Sequence, residues 1–306
     1  MKYFLIIVAP TGSKKLEQNL VEKISKFCRE NLAVTLTNQK ILAINEALQF
    51  NVEQDILSDL KAAFADKTLD FFQIPAELFG LKKLIVFDMD ATLIANECID
   101  EIARAAGRYD QVAQVTEAAM QGKLDFSESL KKRVSCLKGI SKTQLAEIYQ
   151  NTIKINPGVK IMAATLNKLG TKLVITSGGF TFFTNKIGQE LNFFADFSNQ
   201  LNFAGDVLDG TVAEPIFSSE SKLATLKTLA EKHQIAKNDI MAVGDGANDL
   251  PMLHAAGLAV AYKAKPVVKA QIAQQIEHSD FTSLLYMQGI SRNANTKNAS
   301  QKSKLA

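Results

Sequence analysis

The chain has 306 residues, of which 47% are hydrophobic and 22% are charged. This composition is that of an ordinary globular protein, and the length leaves room for two or three domains. No apolar run approaches the ~18 residues that a membrane-spanning helix requires, and the opening segment MKYFLIIVAPTG lacks the features of a secretion signal. The composition therefore argues against a membrane protein and predicts a cytoplasmic location.

The net charge of +3 comes from the end of the chain. The last sixteen residues contain four basic residues and no acidic one, which leaves 31 basic residues against 32 acidic residues elsewhere. Four scattered cations are too sparse for a nucleic-acid-binding patch, so we expect no nucleic-acid partner. We predict that residues 291–306 form a disordered tail.

Residues 1–80 are predicted to form a separate α+β domain. Apolar patterning indicates the order strand, helix, strand, strand, helix, strand over residues 3–8, 14–30, 33–37, 40–50, 53–65 and 69–73. This order is the ferredoxin-like pattern, and it contains no paired carboxylates or phosphate loop, so we expect it to be dispensable for chemistry. The domain resembles the ACT domains, which sense small molecules. A dimerisation or packing role is equally open, and we expect a homodimer.

From residue 81 onward, strands and helices alternate, which is typical of a parallel sheet. Strands are predicted over residues 84–88, 172–176, 240–244 and 258–261, whereas residues 191–217 have the alternation and glycines of hairpins. Residues 97–155 carry helical periodicity, including a capping box formed by Ser141 and Gln144. We therefore predict that residues 81–290 form an α/β domain, a Rossmann-like parallel sheet core with an inserted helical cap.

Two aspartates, Asp88 and Asp90, follow the first strand of this sheet in the segment LIVFDMDATL. Open α/β sheets bind ligands at the carboxyl ends of their strands, and buried carboxylates there need a metal ion or a proton. An aspartate-rich turn would explain the pair equally well, because aspartate favours turns. The ends of the other strands favour the catalytic interpretation.

Two further polar segments lie near predicted strand and helix ends. The strand at 172–176 leads into Ser177, Gly178 and Gly179, whose hydroxyl and N–H groups stand before a helix and can hold an anion. Lys222 lies in the first turn of a helix predicted to begin near Ser218, where a positive charge is unfavourable unless an anion is close. Each signal is weak by itself.

The strand at 240–244 runs into GDGANDL, which supplies Asp245, Asn248 and Asp249. With Asp88 and Asp90, four acidic residues would then meet at one edge of the sheet. Four carboxylates cannot gather there without a counter-charge, and oxygen ligands select a hard divalent cation. The sequence therefore predicts a Mg²⁺ site.

These motifs resemble, in this order, those of the haloacid dehalogenase superfamily, and over about residues 82–285 those of its phosphoserine phosphatase family. The segments that carry the resemblance are DMDATL, NECIDEIA, FSESLKKRVSCLKG, TSGGF, the lone lysine and GDGANDL. The resemblance implies a two-step hydrolysis with Asp88 as the nucleophile that forms an aspartyl-phosphate and Asp90 as acid and base. It further implies that Mg²⁺ is held by Asp88, the Asp90 carbonyl oxygen, Asp245 and Asp249, and that the phosphoryl group is held by Ser177, Gly178, Lys222 and Asn248.

Substrate choice is expected to come from the cap. The resemblance implies O-phospho-L-serine as substrate, hydrolysed in the last step of serine biosynthesis. Glu97 would then bind its ammonium group, Arg133 its carboxylate, and Phe126 would close over the side chain. From the residues alone, solvated helix charges would be the better interpretation of Glu97 and Arg133. Two alternatives stay open: a phosphatase acting on another small phosphomonoester, and a non-catalytic regulator that binds an amino acid.

Overall fold

The computed structural model describes residues 1–13 and 15–292. The predicted tail at residues 291–306 therefore lies almost entirely outside the described residues. Within them, the chain forms an antiparallel sheet of four strands, a parallel sheet of six strands and a two-stranded hairpin. No helix in this part of the chain is long and apolar enough to cross a membrane.

The N-terminal sheet has the predicted ferredoxin-like pattern. Its elements are β1 (Tyr3–Val8), α1 (Gln18–Asn31), β2 (Thr37–Ala43), β3 (Ala47–Val52), α2 (Leu57–Ala63) and β4 (Asp70–Pro75). The strands are antiparallel in the order β2-β3-β1-β4. Two predicted strands were wrong, because residues 33–36 lie outside any strand and a turn at residues 44–46 divides the run at 40–50. Asn45 in that turn has φ 56, a left-handed conformation that asparagine tolerates.

The two faces of this sheet pack against different partners. Leu5 and Ile7 of β1 belong to a core that α1 and α2 cover. Ile6 and Val8, on the opposite face, are buried in the core of the larger domain together with Phe72 of β4. The first 80 residues thus help to form the core of the larger domain, which the prediction of a separate domain did not include.

Directed hydrogen bonds reinforce this contact between the two domains. The carboxylate of Asp70 is 3% exposed and accepts hydrogen bonds from the backbone N–H groups of residues 277–279 and from the hydroxyl of Ser279. Gln73 donates its N–H to Gln274 Oε1 at 3.0 Å, and Gln274 Nε2 donates to the carbonyl oxygen of Gln73 at 2.9 Å. Asp70, Gln73 and Gln274 therefore pair their buried polar groups across this interface.

The larger domain is the predicted α/β fold. Its elements in chain order are β5 (Leu84–Phe87), α3 (Cys98–Ala105), α4 (Tyr109–Met120), α5 (Phe126–Ser135), α6 (Lys142–Asn151), α7 (Val159–Lys168), β6 (Lys172–Phe180), α8 (Thr181–Leu191), β7 (Ala195–Asn199), β8 (Leu201–Ala204), β9 (Val207–Val212), α9 (Ser219–Lys232), β10 (Ile240–Gly244), α10 (Leu250–Ala255), β11 (Leu258–Tyr262), α11 (Pro266–Lys269), β12 (Gln274–Ile276) and α12 (Ser283–Tyr286). Six strands are parallel in the order β12-β11-β10-β5-β6-β7. This order places β5 between β10 and β6, so that three polar strand ends lie side by side.

Helices α3 to α6 form the predicted cap. The predicted capping box of α6 is present: Gln144 donates its N–H to Ser141 Oγ at 3.1 Å, and Ser141 donates its N–H to Gln144 Oε1 at 2.9 Å. The segments that lead into and out of the cap run side by side, where Ala95 donates its N–H to the carbonyl oxygen of Lys154 at 2.8 Å. This helical part of the cap is therefore an insertion that leaves and rejoins the core at one place.

The hairpin of β8 and β9 is the second part of the cap. Gly139 donates its N–H to the carbonyl oxygen of Leu208, and Leu208 donates its N–H to that of Ile140, each at 2.8 Å. The prediction of hairpins throughout residues 191–217 was wrong for residues 195–199, which form β7 at the edge of the parallel sheet. An edge strand is only partly covered, so its polarity alternates as in a hairpin strand.

Candidate active site

Two buried strands deliver the central aspartates. Asp88 follows β5, and Asp245 follows β10, which pairs directly with β5. Asp88 extends this pairing, since its N–H donates to the carbonyl oxygen of Val243 at 3.0 Å. Both residues are 6% exposed and lie at the same edge of the sheet. The predicted meeting of acidic residues at this edge is therefore present in the fold.

Three carboxylates form a compact buried cluster. Asp88, Asp245 and Asp249 each offer an oxygen, and these oxygens lie within 4.8 Å of one another. Asp249 Oδ2 accepts the N–H groups of Asp245 and Gly246, each at 3.1 Å, and Thr92 Oγ1 donates to Asp245 Oδ1 at 3.0 Å. These hydrogen bonds hold the carboxylates in place before any ligand binds.

Glycine is required beside this cluster. A Cβ atom on Gly244 would lie 2.5 Å from Asp249 Oδ2, which is closer than real contacts allow. The glycine therefore lets the end of β10 approach the carboxylate that follows it.

Lys222 neutralises part of this charge. Its side chain is 1% exposed, and Nζ lies 2.6 Å from Asp88 Oδ1 and 2.7 Å from Asp249 Oδ1. Burial by itself would lower the pKa of Lys222, but the carboxylates of Asp249 and Asp88 raise it above its ordinary value. The lysine predicted to face an anion at the start of α9 thus faces two protein carboxylates.

One lysine does not balance three buried carboxylates. Burial raises the pKa of Asp88 well above its ordinary value, and the neighbouring charge of Asp249 raises it further. Burial and Asp249 also raise the pKa of Asp245. A cluster of oxygen donors with an excess of negative charge fits a hard divalent cation.

Asp90 occupies a separate position. Its carboxylate is not part of the three-carboxylate cluster; Oδ1 accepts the N–H of Cys98, the first residue of α3, at 3.1 Å. A Cβ atom on Gly179 would lie 2.5 Å from Asp90 Oδ2, so the glycine permits close approach of the strand end to this side chain. Burial raises the pKa of Asp90, which keeps a larger fraction of the carboxyl group protonated near neutral pH.

The end of β6 supplies the third part of the site. Ser177 is fully buried, and its Oγ accepts the N–H of Gly179 at 2.9 Å. The ring of Phe126 covers this turn, since a Cβ atom on Gly178 would lie 3.4 Å from Phe126 Cζ. The cap therefore contacts the predicted anion cradle directly.

A cavity of about 550 Å³ separates the cap from these strand ends. The core contributes Asp88, Asp90, Ser177, Gly178, Gly179, Phe180, Asp245, Asn248 and Lys265 to its walls, and the cap contributes Glu97, Ile99, Asp100, Thr116, Ala119, Leu124, Phe126, Ser129, Leu130 and Arg133. Of the predicted site residues, Lys222 and Asp249 are not in these walls and lie buried behind Asp88 and Asp245. The structure thus brings all the predicted site residues to one region.

Glu97 and Arg133 face this cavity from the cap. Glu97 keeps contact with solvent in the open cavity, but the surrounding protein and the charge of Asp90 raise its pKa to about 7. Burial lowers the pKa of Arg133, although Asp100 and Glu97 act in the opposite direction. Arg133 Nε donates to the carbonyl oxygen of Ser129 at 3.4 Å. An acidic side chain and a basic side chain of opposite charge, Glu97 and Arg133, therefore line the cap side of the cavity.

Lys265 and Asn199 are among the residues of the site that were not predicted from the sequence. Lys265 follows β11, lines the cavity and places Nζ 4.0 Å from Asp245 Oδ2. Its position just after a predicted strand was an available signal. Asn199 ends β7 and donates a hydrogen bond from its side chain to the carbonyl oxygen of Gly178. No local pattern marked Asn199 as a site residue, because β7 was predicted as part of a hairpin.

The fold and the buried strand-end aspartates define a hydrolase of the haloacid dehalogenase type. In agreement, residues 82–257 match the haloacid dehalogenase-like hydrolase family.

Relatives with a narrower description resemble the chain over most of their length. A phosphoserine phosphatase of Idiomarina loihiensis is 44% identical over 202 residues, which are 66% of this chain and 91% of the relative. A probable phosphoserine phosphatase of Schizosaccharomyces pombe is 36% identical over 276 residues, covering 89% of this chain and 91% of the relative. The unliganded crystal structure of a probable phosphoserine phosphatase from Vibrio cholerae superimposes with a TM-score of 0.81 at 32% identity, covering 97% of this chain and 89% of that one. The chain belongs to the phosphoserine phosphatase family of the haloacid dehalogenase-like hydrolases.

Proposed function

We propose that the protein hydrolyses O-phospho-L-serine to L-serine and phosphate, the last step of serine biosynthesis, through an aspartyl-phosphate on Asp88. The observation that carries this proposal is the arrangement of the cavity. One wall holds buried groups suited to a phosphoryl group, and the opposite wall holds Glu97 and Arg133. An ammonium group and a carboxylate on one small molecule match this acid and this base. The names of the relatives support the same substrate.

The first step is attack by Asp88 on phosphorus. A carboxylate oxygen of Asp88 forms the new P–O bond while the bond from phosphorus to the serine oxygen breaks. Lys222 Nζ, 2.6 Å from Asp88 Oδ1, favours the ionised and therefore nucleophilic form. Burial opposes that ionised form. Lys222 therefore offsets part of the free-energy cost of burying the charged carboxylate of Asp88.

Asp90 is the proposed general acid of the first step and the general base of the second step. It gives a proton to the departing serine oxygen, and in the second step it takes one from the water that attacks the aspartyl-phosphate. That attack breaks the P–O bond to Asp88 and releases phosphate. The raised pKa of Asp90 and its hydrogen bond from Cys98 suit this dual role, since the group must be both protonated and oriented.

We propose that Mg²⁺ is the divalent cation that fits the buried cluster. Asp88, Asp245, Asp249 and the carbonyl oxygen of Asp90 would hold it. When bound, it supplies positive charge that offsets the phosphoryl oxygens and the carboxylates. The hydroxyl of Ser177, the N–H group of Gly178, Lys222 and Asn248 would hold the phosphoryl oxygens from the protein side.

Selection of serine phosphate is assigned to the cap. Glu97 would bind the ammonium group and Arg133 the carboxylate, while Phe126, 39% exposed in the cavity, would cover the substrate over Gly178. An exposed phenylalanine facing a polar cavity is explained by a ligand that it covers.

A panel of phosphorylated metabolites tests this proposal directly. We expect turnover of phosphoserine to exceed that of sugar phosphates and of 4-nitrophenyl phosphate, measured as released phosphate with added Mg²⁺. Preference for a sugar phosphate would refute the assignment of Glu97 and Arg133 while keeping the phosphatase chemistry. Absence of turnover on every phosphomonoester would instead favour the non-catalytic regulator.

The homodimer, the cytoplasmic location and an amino-acid-sensing role for residues 1–80 stay predictions. Mass in solution tests the first, and inhibition of turnover by free serine or glycine tests the third.

A further inference from the structure

The side-chain amide of Asn199 forms hydrogen bonds with two segments that border the active site. Asn199 is 2% exposed at the end of β7. Its Nδ2 donates to the carbonyl oxygens of Gly178 at 2.9 Å and of Phe217 at 3.1 Å, and its Oδ1 accepts the N–H of Phe217 at 2.7 Å. Such a fully paired buried amide is sensitive to any change that removes one of its partners.

The hydrogen bond from Asn199 to Gly178 takes the place of a backbone hydrogen bond between β6 and β7. β6 and β7 pair regularly up to Thr176 and Phe197, and the register then shifts before Phe180 meets Asn199. Residues 177–179, which border the cavity, lie within this irregular stretch. The side chain of Asn199 supplies the partner for the carbonyl oxygen of Gly178 there.

This hydrogen bond fixes the orientation of one peptide group. The carbonyl oxygen of Gly178 and the N–H of Gly179 belong to the same peptide. The oxygen is held by Asn199, and the N–H donates to Ser177 Oγ. Neither glycine has a Cβ atom to resist rotation of this peptide. Without Asn199, the peptide could turn its carbonyl oxygen toward the cavity, where it would repel a phosphoryl oxygen.

The hydrogen bonds to Phe217 connect the same side chain to α9. Phe217 directly precedes Ser218, the N-cap residue of the helix that carries Lys222. Asn199 therefore links the turn at Ser177 and Gly178 to the segment that positions Lys222. In the proposed mechanism, the first of these segments borders the phosphoryl position, and the second carries the lysine that lies beside Asp88.

We propose that Asn199 is a positioning residue that locks the Gly178–Gly179 peptide and sets the spacing between this peptide and Lys222. This inference rests on the proposed phosphatase chemistry but not on serine as the substrate. Asn199 does not line the cavity, so it acts through the groups that it holds.

The test compares two substitutions that remove different hydrogen bonds. Asn199→Asp keeps an acceptor for the N–H of Phe217 and loses both donated hydrogen bonds, whereas Asn199→Leu has a similar size and loses all three. The matched control is Asn202→Leu, because Asn202 donates to Thr211 Oγ1 within the hairpin and does not contact the cavity. Turnover of phosphoserine and of 4-nitrophenyl phosphate, calorimetric binding of inorganic phosphate and thermal unfolding are measured for each protein.

We expect both Asn199 variants to lose about 100-fold in kcat on both substrates, the scale of losing one aligned donor. Binding of inorganic phosphate should weaken as well, while Asn202→Leu stays close to the wild type. Unchanged phosphate binding in folded Asn199 variants would overturn the inference, as would a loss of activity that follows only the loss of folded protein. A wild type that hydrolyses 4-nitrophenyl phosphate but not phosphoserine would refute the proposed substrate and leave this comparison valid.

Discussion

Replacement of Arg133 by alanine tests the substrate assignment on two molecules that differ by one group. O-phosphoserine carries a carboxylate, and O-phosphoethanolamine is the same molecule without it. Arg133 is half-buried in the wall of the cavity, so its guanidinium is partly withdrawn from water. Its removal would leave the substrate carboxylate without a partner in the cavity.

The size of the effect follows from this desolvation. Removing one member of a buried, hydrogen-bonded charge pair costs about 2–5 kcal/mol. At about 1.4 kcal/mol for each factor of ten, kcat/KM for phosphoserine should fall about 30-fold to 4,000-fold. For phosphoethanolamine it should change by less than about fivefold, the scale of an exposed charge.

Steady-state phosphate release at several substrate concentrations measures both ratios. Arg104→Ala is the matched control, because Arg104 lies on α3 of the cap with its side chain 48% exposed and pairs with Glu101 at 3.1 Å. Arg133→Lys should recover only part of the loss, since lysine cannot form the two parallel hydrogen bonds of a guanidinium. Equal losses on phosphoserine and phosphoethanolamine would refute the reasoning and make Arg133 a support of the cap.

Four further predictions follow from the site. Asp88→Asn should abolish phosphate release with an unchanged circular dichroism spectrum, while Asp90→Asn should slow phosphoserine more than 4-nitrophenyl phosphate, whose leaving group needs little protonation. Because the pKa of Glu97 is raised to about 7, its charged form is lost as the pH falls through 7; KM for phosphoserine should then rise, and Glu97→Gln should remove that pH dependence. Excess EDTA should stop turnover, and Ca²⁺ should inhibit it, because its larger and more flexible coordination misplaces the nucleophile. A chain that starts near Phe79 should lose solubility or thermal stability, measured by light scattering and calorimetry, because the larger domain then exposes the surface that Ile6 and Val8 cover.

The positions of the candidate catalytic aspartates were predictable because these residues follow strand ends. Asp88 and Asp245 each follow a short apolar run, and parallel strands place such ends at one edge. Lys222 was detectable for a local reason, since a lysine in the first turn of a helix opposes the helix dipole. These signals depend on neighbouring residues in the sequence and on the rule that parallel strands bring their carboxyl ends to one edge of the sheet.

The unpredicted features depend on contacts between distant segments. Asn199 acts on Gly178 and Phe217 across a register shift that no local pattern reports. The packing of the N-terminal sheet did leave a signal in β1, whose sequence YFLIIV is apolar on both faces. A strand covered on one side only should alternate, so this continuous run indicated a second buried face.

The start of α3 connects the proposed ammonium-binding residue to the proposed acid. Glu97 immediately precedes this helix and faces the cavity, while Cys98, its first residue, donates its N–H to Asp90. A displacement of the cap would therefore move the proposed ammonium-binding group and the orientation of the proposed acid together. If the cap moved away from the core, Cys98 would no longer hold Asp90 in this orientation, and proton transfer to a ligand bound only to the core would be slower. The connection thus favours turnover of ligands that bind the cap and the core at the same time.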